Sequence, residues 1–250
     1  MSIPDYAEHW KQYWKKRYEG RDYRDLRKAA QSPIDRWLTV DTRHLANNEI
    51  EIGLDHLSSH PDVAFDAARQ GFTEFVSEEE IDNVADTEYD LLPLHIVNID
   101  RRNSHLFSFE GMVSDANTVT EISSVQIEGE PTAELRAIAT SFACPDGHHT
   151  RIRQPIYDAR TLEVCGHDDC LNNVFIDETR TKARRVVEFS VSYHEEELRC
   201  VATGRYAEMD HKFENVEADS DLSMIGIPRL ITSNDGSVTP IYEVLHVEPT

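Results

Sequence analysis

Residues 144–149 read Cys-Pro-Asp-Gly-His-His and residues 165–170 read Cys-Gly-His-Asp-Asp-Cys, with fifteen residues between the two stretches. Each stretch sets two soft or borderline donors on a tight turn: Cys144 with His148 or His149, and Cys165 with Cys170. Two such turns can converge on one tetrahedral Zn2+, and thiolate and imidazole donors select zinc over Mg2+ or Ca2+. With Cys144, His148, Cys165 and Cys170 supplied by the chain, the coordination sphere is closed, so the expected zinc is structural and not catalytic. Spacing leaves the choice between His148 and His149 open. His167 is a weaker third candidate, because its turn already offers two thiols. Cys200, the remaining cysteine, lies mid-strand with Leu198 and Ala202 on its face and reads as a small buried hydrophobe.

On both sides of this segment the hydrophobic pattern has the period of β-structure. Upstream are 91–99, 106–113 (with a bend expected at Gly111), 122–128 and 134–143. Downstream, Val187, Phe189, Val191 and Tyr193 alternate along 185–193; His194 to Glu197 turns, and 198–204 returns as a hairpin. Residues 223–231 and 241–247 complete the set. Several short strands with bends at Gly fit a small barrel better than an open sheet, so the metal-ligand segment reads as an insertion into a barrel.

The first 80 residues change to helical spacing. Ile3, Tyr6, Trp10, Tyr13, Trp14 and Arg17/Tyr18 form one stripe, begun by Ser2 and Pro4. Ile50, Leu54 and Leu57 give a shorter face. Ser59-His60-Pro61 opens a helix with Phe65, Ala68, Phe72, Phe75 and Val76 on one side. Trp37, Leu38, Val40 and Leu45 are expected to plug the bundle from turn segments, and the acidic stretch 77–90 to be a linker or exposed loop. The expected fold class is α+β: a helical bundle over 1–80, the first part of a barrel over 81–143, a zinc-binding insertion over 144–175 and the rest of the barrel over 176–250.

Of 250 residues, 47 are acidic and 25 basic, a formal charge of −22 that argues against a surface gripping nucleic acid everywhere. Only six of the basic residues are Lys, and an acid-rich, Lys-poor surface suits a cytoplasm of high salt, where carboxylates hold hydrated cations and self-repulsion is screened. Against that background two basic clusters stand out: residues 1–36, which carry +3, and Arg180, Lys182, Arg184 and Arg185. No run of eighteen apolar residues and no leader of the secretory kind is present, so a cytoplasmic protein without membrane contact is expected. Motifs of phosphate loops, dinucleotide folds, nucleophile elbows and His-Glu-x-x-His metallohydrolases are all absent, and no catalytic set emerges.

The order of these parts resembles the N-terminal domain of the archaeal minichromosome maintenance (MCM) replicative helicases. Residues 105–119 (His-Leu-Phe-Ser-Phe-Glu-Gly-Met-Val-Ser-Asp-Ala-Asn-Thr-Val) are similar to that family's opening barrel strand. Ser-Phe-Ala-Cys-Pro-Asp-Gly-His (141–148) is similar to its entry to the zinc module, and Gln154-Pro155 and Cys165…Cys170 to its middle and exit. Phe-Ile-Asp-Glu-Thr (175–179) resembles the strand leaving the module, and 241–248 the closing strand. The resemblance implies a barrel of the OB type and a domain that binds single-stranded or duplex DNA. It also implies ring assembly, as a homo-oligomer such as a hexamer or with an MCM helicase partner, the zinc modules packing two rings head to head. Arg151, Arg153, Arg180, Lys182, Arg184 and Arg185 are the positions that would face DNA. The resemblance implies no catalytic activity for this part, since the family's ATPase centre lies in a following domain. Residues 180–204 depart from the family's Gln-rich strand and DNA-facing hairpin, running instead into a short Glu-capped turn. Two other readings fit the residues: a single-strand-binding protein of the replication-protein-A kind, which has no need of the helical bundle, and a regulatory adaptor that joins a helicase ring through its acidic surface.

Overall fold

The computed structural model describes residues 3–20, 22–47, 54–79, 81, 88–98, 107–109, 111, 114–157, 159–208, 221–232 and 236–249. The aromatic stripe near the N-terminus forms helix α1 (Ile3–Glu19), in which Trp10, Tyr13 and Trp14 are fully buried. Lys16 and Arg17 in its last turn face the negative end of the helix dipole. Trp14 donates from Nε1 to the Ala68 carbonyl at 2.9 Å and meets the edge of Phe72, so the indole is satisfied as well as packed. Its main neighbour is α5 (Pro61–Glu78), which starts at Pro61 as the Ser-His-Pro signal requires and buries Phe65, Ala68, Phe72, Phe75 and Val76. Helices α2 (Tyr23–Gln31), α3 (Thr42–Asn47) and α4 (Leu54–Ser59) complete the helical part. Ile50 of the shorter apolar face lies outside the described residues.

Helices α1 and α5 cross at Gly71. A Cβ there would stand 2.5 Å from the Ala7 carbonyl oxygen and 2.7 Å from the Lys11 backbone nitrogen. Gly71→Ala gains about 1 kcal/mol of helix propensity but forces the helices apart, and is expected to destabilise by about 2 kcal/mol net. Urea unfolding checks this; a variant as stable as the parent would mean that the crossing is not tight.

Two expectations for the helical part are revised. Leu38 and Val40 are buried as foreseen, but in a strand, β1 (Leu38–Asp41), which pairs in parallel with β2 (Leu94–Val97), Leu38 opposite Leu94. Within the run 91–99, Leu94–Val97 thus forms a separate two-stranded sheet with β1. The acidic stretch 77–90 is not simply exposed: α5 continues to Glu78, Ile81 is buried, and a 3-10 turn at Tyr89–Leu91 lets the Tyr89 hydroxyl donate to the Ala30 carbonyl at 3.1 Å. Residues 82–87 lie outside the described residues.

The remaining strands form a barrel. After β3 (Phe107–Ser108), which pairs with the start of the next strand, come β4 (Thr120–Ala143), β5 (His149–Arg153), β6 (Phe175–Ile176), β7 (Lys182–Tyr193), β8 (Glu196–Thr203), β9 (Leu222–Thr232) and β10 (Val238–Pro249). The pairing order β4-β7-β8-β10-β9 returns to β4, with β8 and β10 parallel and the rest antiparallel. This is a closed five-stranded barrel of OB type, with a short helix, α6 (Arg205–Glu208), after its third strand. Residues 122–128 and 134–143 are one strand and not two. Gly129, at φ +73°, and Pro131 sit in an irregularity between Glu128 and Thr132, and pairing with β7 resumes beyond it. The hairpin β7–β8 turns on two residues only, His194 and Glu195, both at positive φ, as the twist of tight hairpins demands. Gly111 lies in a turn between β3 and β4, where its carbonyl accepts from Asp115 N–H at 3.1 Å and its own N–H donates to the Asp115 carboxylate at 2.9 Å.

Val187, Phe189 and Val191 point into the barrel with Ile122, Cys200, Met224 and Tyr242. Strand β9 is buried on both faces over Leu222–Arg229, because the helical part covers its outer face: Ile225, Ile227 and Leu245 belong to the same core as Trp10 and Phe72. Among the described residues no helix is long and apolar enough to cross a membrane.

Candidate functional site

Strand β4 delivers the first metal-type donor. Its last five residues, Ala139–Ala143, pair with β5, and Phe142 and Ala143 also pair with β6, making a small antiparallel platform beyond the barrel. Cys144 follows at once. A turn between its backbone and His148 is closed by Cys144 N–H to the His148 carbonyl at 3.1 Å and Gly147 N–H to the Cys144 carbonyl at 3.0 Å, with Gly147 at φ +81°. The second turn is closed by Cys165 N–H to Asn172 O at 2.9 Å and Cys170 N–H to His167 O at 3.1 Å, with Asp169 at φ 65°.

The donor atoms of Cys144, His148, Cys165 and Cys170 lie within 4.8 Å of one another, and the three cysteines are buried. Two edges of the group are short: Cys144 Sγ to Cys170 Sγ is 3.9 Å, and Cys165 Sγ to His148 Nδ1 is 3.7 Å. A tetrahedron with Zn–S bonds of ~2.3 Å has S–S edges of ~3.8 Å, and a shorter Zn–N bond gives slightly less. The residues therefore fit a tetrahedral metal ion in size and in donor chemistry. Burial pushes the Cys144 thiol up, yet hydrogen bonds from the His148 and Asp146 backbone outweigh it and hold the group below its usual range. At Cys170 the Asn172 backbone hydrogen bond lowers the thiol, but burial and the adjoining thiols Cys165 and Cys144 leave it raised. A cation at the centre would stabilise thiolates packed this closely.

The two histidines left open by spacing separate here. His148 enters the cluster, whereas His149, the first residue of β5, lies 3.8 Å from an Asp177 carboxylate oxygen. His167 stacks flat on His148, with ring centroids 4.4 Å apart, and is not a member of the cluster. Two supporting residues escaped the sequence reading. Asn172 donates to Asp146 at 2.7 Å, bridging the two turns, and its amide nitrogen lies 3.7 Å from Cys170 Sγ. Asp146 was visible inside Cys-Pro-Asp-Gly, but nothing local tied it to Asn172. Cys200 is wholly buried in the barrel, far from this group in role, and burial pushes its thiol up.

The six basic positions do not form one face. Arg151 and Arg153 alternate on β5 and are exposed, Arg153 lying 3.1 Å from Asp66. Arg180 is exposed beside Asp177, and Lys182 pairs with Glu88 at 3.0 Å. Arg185 is exposed opposite Leu135, itself an exposed apolar side chain. Arg184 is the correction. It is buried, and its guanidinium donates to the carbonyls of Ile34 at 3.0 Å, Leu91 at 2.6 Å and Pro33 at 2.9 Å. Facing the helical part and satisfied by backbone oxygens, it is not placed to meet a phosphate.

No family profile matches the chain, and no curated protein matches its sequence. Among solved structures, the crystal structure of the N-terminal domain of an archaeal MCM matches over 100% of both chains with a TM-score of 0.73 at 12% identity. The likeness spans helical part, barrel and metal module together: this chain has the fold of the N-terminal domain of an archaeal MCM.

Proposed function

We propose that the chain is a DNA-binding and oligomerising module of the MCM type in DNA replication, held together at one end by a structural zinc ion and without catalytic activity of its own. The observation that carries this reading is the full-length fold match together with a closed Cys3His cluster at the tip of the barrel insertion. Cys144, His148, Cys165 and Cys170 would hold the zinc, which when bound supplies a cross-link between two turns. Apolar side chains exposed around that module, Leu171 at 88%, Phe175 at 57% and Ile176 at 54%, support its use as a contact between copies. The acidic surface is a solvent adaptation to salt, and the protein works in the cytoplasm.

Of the basic positions, Arg151 and Arg185 carry the DNA proposal best, being exposed on the module's stalk and on the barrel. Arg153, Arg180 and Lys182 contribute after exchanging their carboxylate partners for phosphate. Each phosphate contact to a single strand adds about 0.7 to the slope of log affinity against log salt. The double substitution Arg151→Ala, Arg185→Ala is therefore expected to weaken single-stranded DNA binding and to reduce that slope by about 1.4. An isotherm that does not move would favour the adaptor reading.

A further inference from the structure

Between α5, the β5 stalk and the strands β9 and β10 lies a cleft of about 390 Å³, within the range of small-ligand sites. Its walls are unlike the rest of this acidic molecule. Arg69, Arg153, Arg160, Arg184 and Arg229 line it, with Asp62, Asp66 and Glu243 as the carboxylates, and Arg184 is the one held by backbone carbonyls on three sides. The charges are unevenly matched. Arg229 is saturated: it donates to Asp62 at 2.6 and 2.9 Å, to Glu243 at 2.9 Å and to Asn117 at 2.9 Å. Asp66 alone serves both Arg69, at 2.9 Å, and Arg153, at 3.1 Å. Arg69 spends Nε on the Leu92 carbonyl at 2.7 Å, and Arg160 forms no ion pair among the described residues. Arg69 and Arg153 thus share one carboxylate that is itself about half exposed, and Arg160 has none within ion-pair distance among the described residues.

We propose that this cleft binds a compact, multiply charged phosphate anion, held by Arg69, Arg153 and Arg160. Guanidinium forks match phosphate oxygens two at a time, and a ligand with two negative charges would cancel the excess of five arginines over three carboxylates in the lining. The side chains of Phe65, Pro155 and Tyr157 give the cleft apolar walls beside its charged floor, which suits a phosphate ester with an organic part. Consistent with unrelieved positive charge, burial and the neighbouring Arg153 pull Arg69 down to about 10. Because α5 supplies Arg69 and Asp66 while β5 supplies Arg153, an occupant would tie the helical part to the metal-module stalk.

The test uses the intact chain and inorganic pyrophosphate, titrated calorimetrically at fixed ionic strength with chloride as the competing anion. Saturable binding is expected, with a melting temperature raised by about 5–10 °C at a hundredfold excess over Kd. Arg160→Gln, an exposed position whose loss spares the fold, should weaken binding tenfold or more. Asp66→Asn should tighten it severalfold, an effect a purely structural role would not produce. Displacement of pyrophosphate by a thymidine oligonucleotide would assign the phosphate to a DNA backbone; displacement by a mononucleotide but not by the oligonucleotide would assign it to a free ligand. Absence of saturable binding, or binding that neither substitution changes, would overturn the proposal. The DNA reading above is tested separately, at Arg151 and Arg185, which do not line the cleft.

Discussion

Cys165→Ser or Cys170→Ser is expected to take bound zinc from about one ion per chain to none and to unfold the metal module while the barrel persists. The reason lies in what the module has for a core: Cys144, Cys165 and Cys170 themselves, with only Val174 packed against them. Without an ion there is no apolar interior to replace it, and a handful of turn hydrogen bonds cannot offset the entropy of ordering the segment. Structural zinc supplies about 10–16 kcal/mol in small domains; here the antiparallel platform of β4, β5 and β6 survives in part, so a loss of at least about 3 kcal/mol is expected. Metal analysis gives the stoichiometry. Limited trypsin digestion gives the locality, since exposed Arg160 lies within the insertion and should be cut faster in the variant. An unsubstituted protein purified without zinc, or a variant keeping its full complement, would refute the assignment.

Arg184→Ala is expected to destabilise the protein by about 3–5 kcal/mol and to loosen the helical part from the barrel. The substitution strips the donors from three carbonyls, at Pro33, Ile34 and Leu91, and each buried acceptor left without a partner costs about 1–3 kcal/mol, not fully additively. Arg184→Lys should rescue little, because one ammonium cannot span the fork that reaches all three oxygens. Arg185→Ala is the matched control: next in sequence and exposed, it should leave stability within about 0.5 kcal/mol and act on DNA affinity instead. Equal destabilisation by the two alanines in urea would contradict the role given to the Arg184 hydrogen bonds.

The convergence of Cys144, His148, Cys165 and Cys170 was legible because donor chemistry and turn spacing are local properties, and the helices because a long aromatic stripe has one reading. The pairing of β1 with β2 was hidden: four-residue strands carry little pattern, and Leu38 finds Leu94 only through tertiary packing. Gly129-Glu130-Pro131 reads as a turn, yet a long strand absorbs it as an irregularity once β7 pairs on both sides. The distinction between Arg184 and Arg185 failed for a related reason. Alternation along β7 identifies the barrel interior through Val187, Phe189 and Val191, but says nothing of what covers the outside. There, Val186 packs with Val201 and Ile241 under Ile156 and Tyr157, and Arg184 beside it is sealed by the segment around Pro33.

Strand β9 has a consequence for synthesis. It closes the barrel against β4, Gly226 opposite Thr120, and its outer face seats the helices through Ile225 and Ile227. Ribosomes make it after the helices and after β4, so those apolar surfaces emerge before the strand that covers them. A nascent chain therefore waits with an unclosed sheet edge and an undocked helical face, the two features that drive aggregation. The carboxylates upstream of residue 222 hold such unfinished chains apart by mutual repulsion until translation reaches this strand.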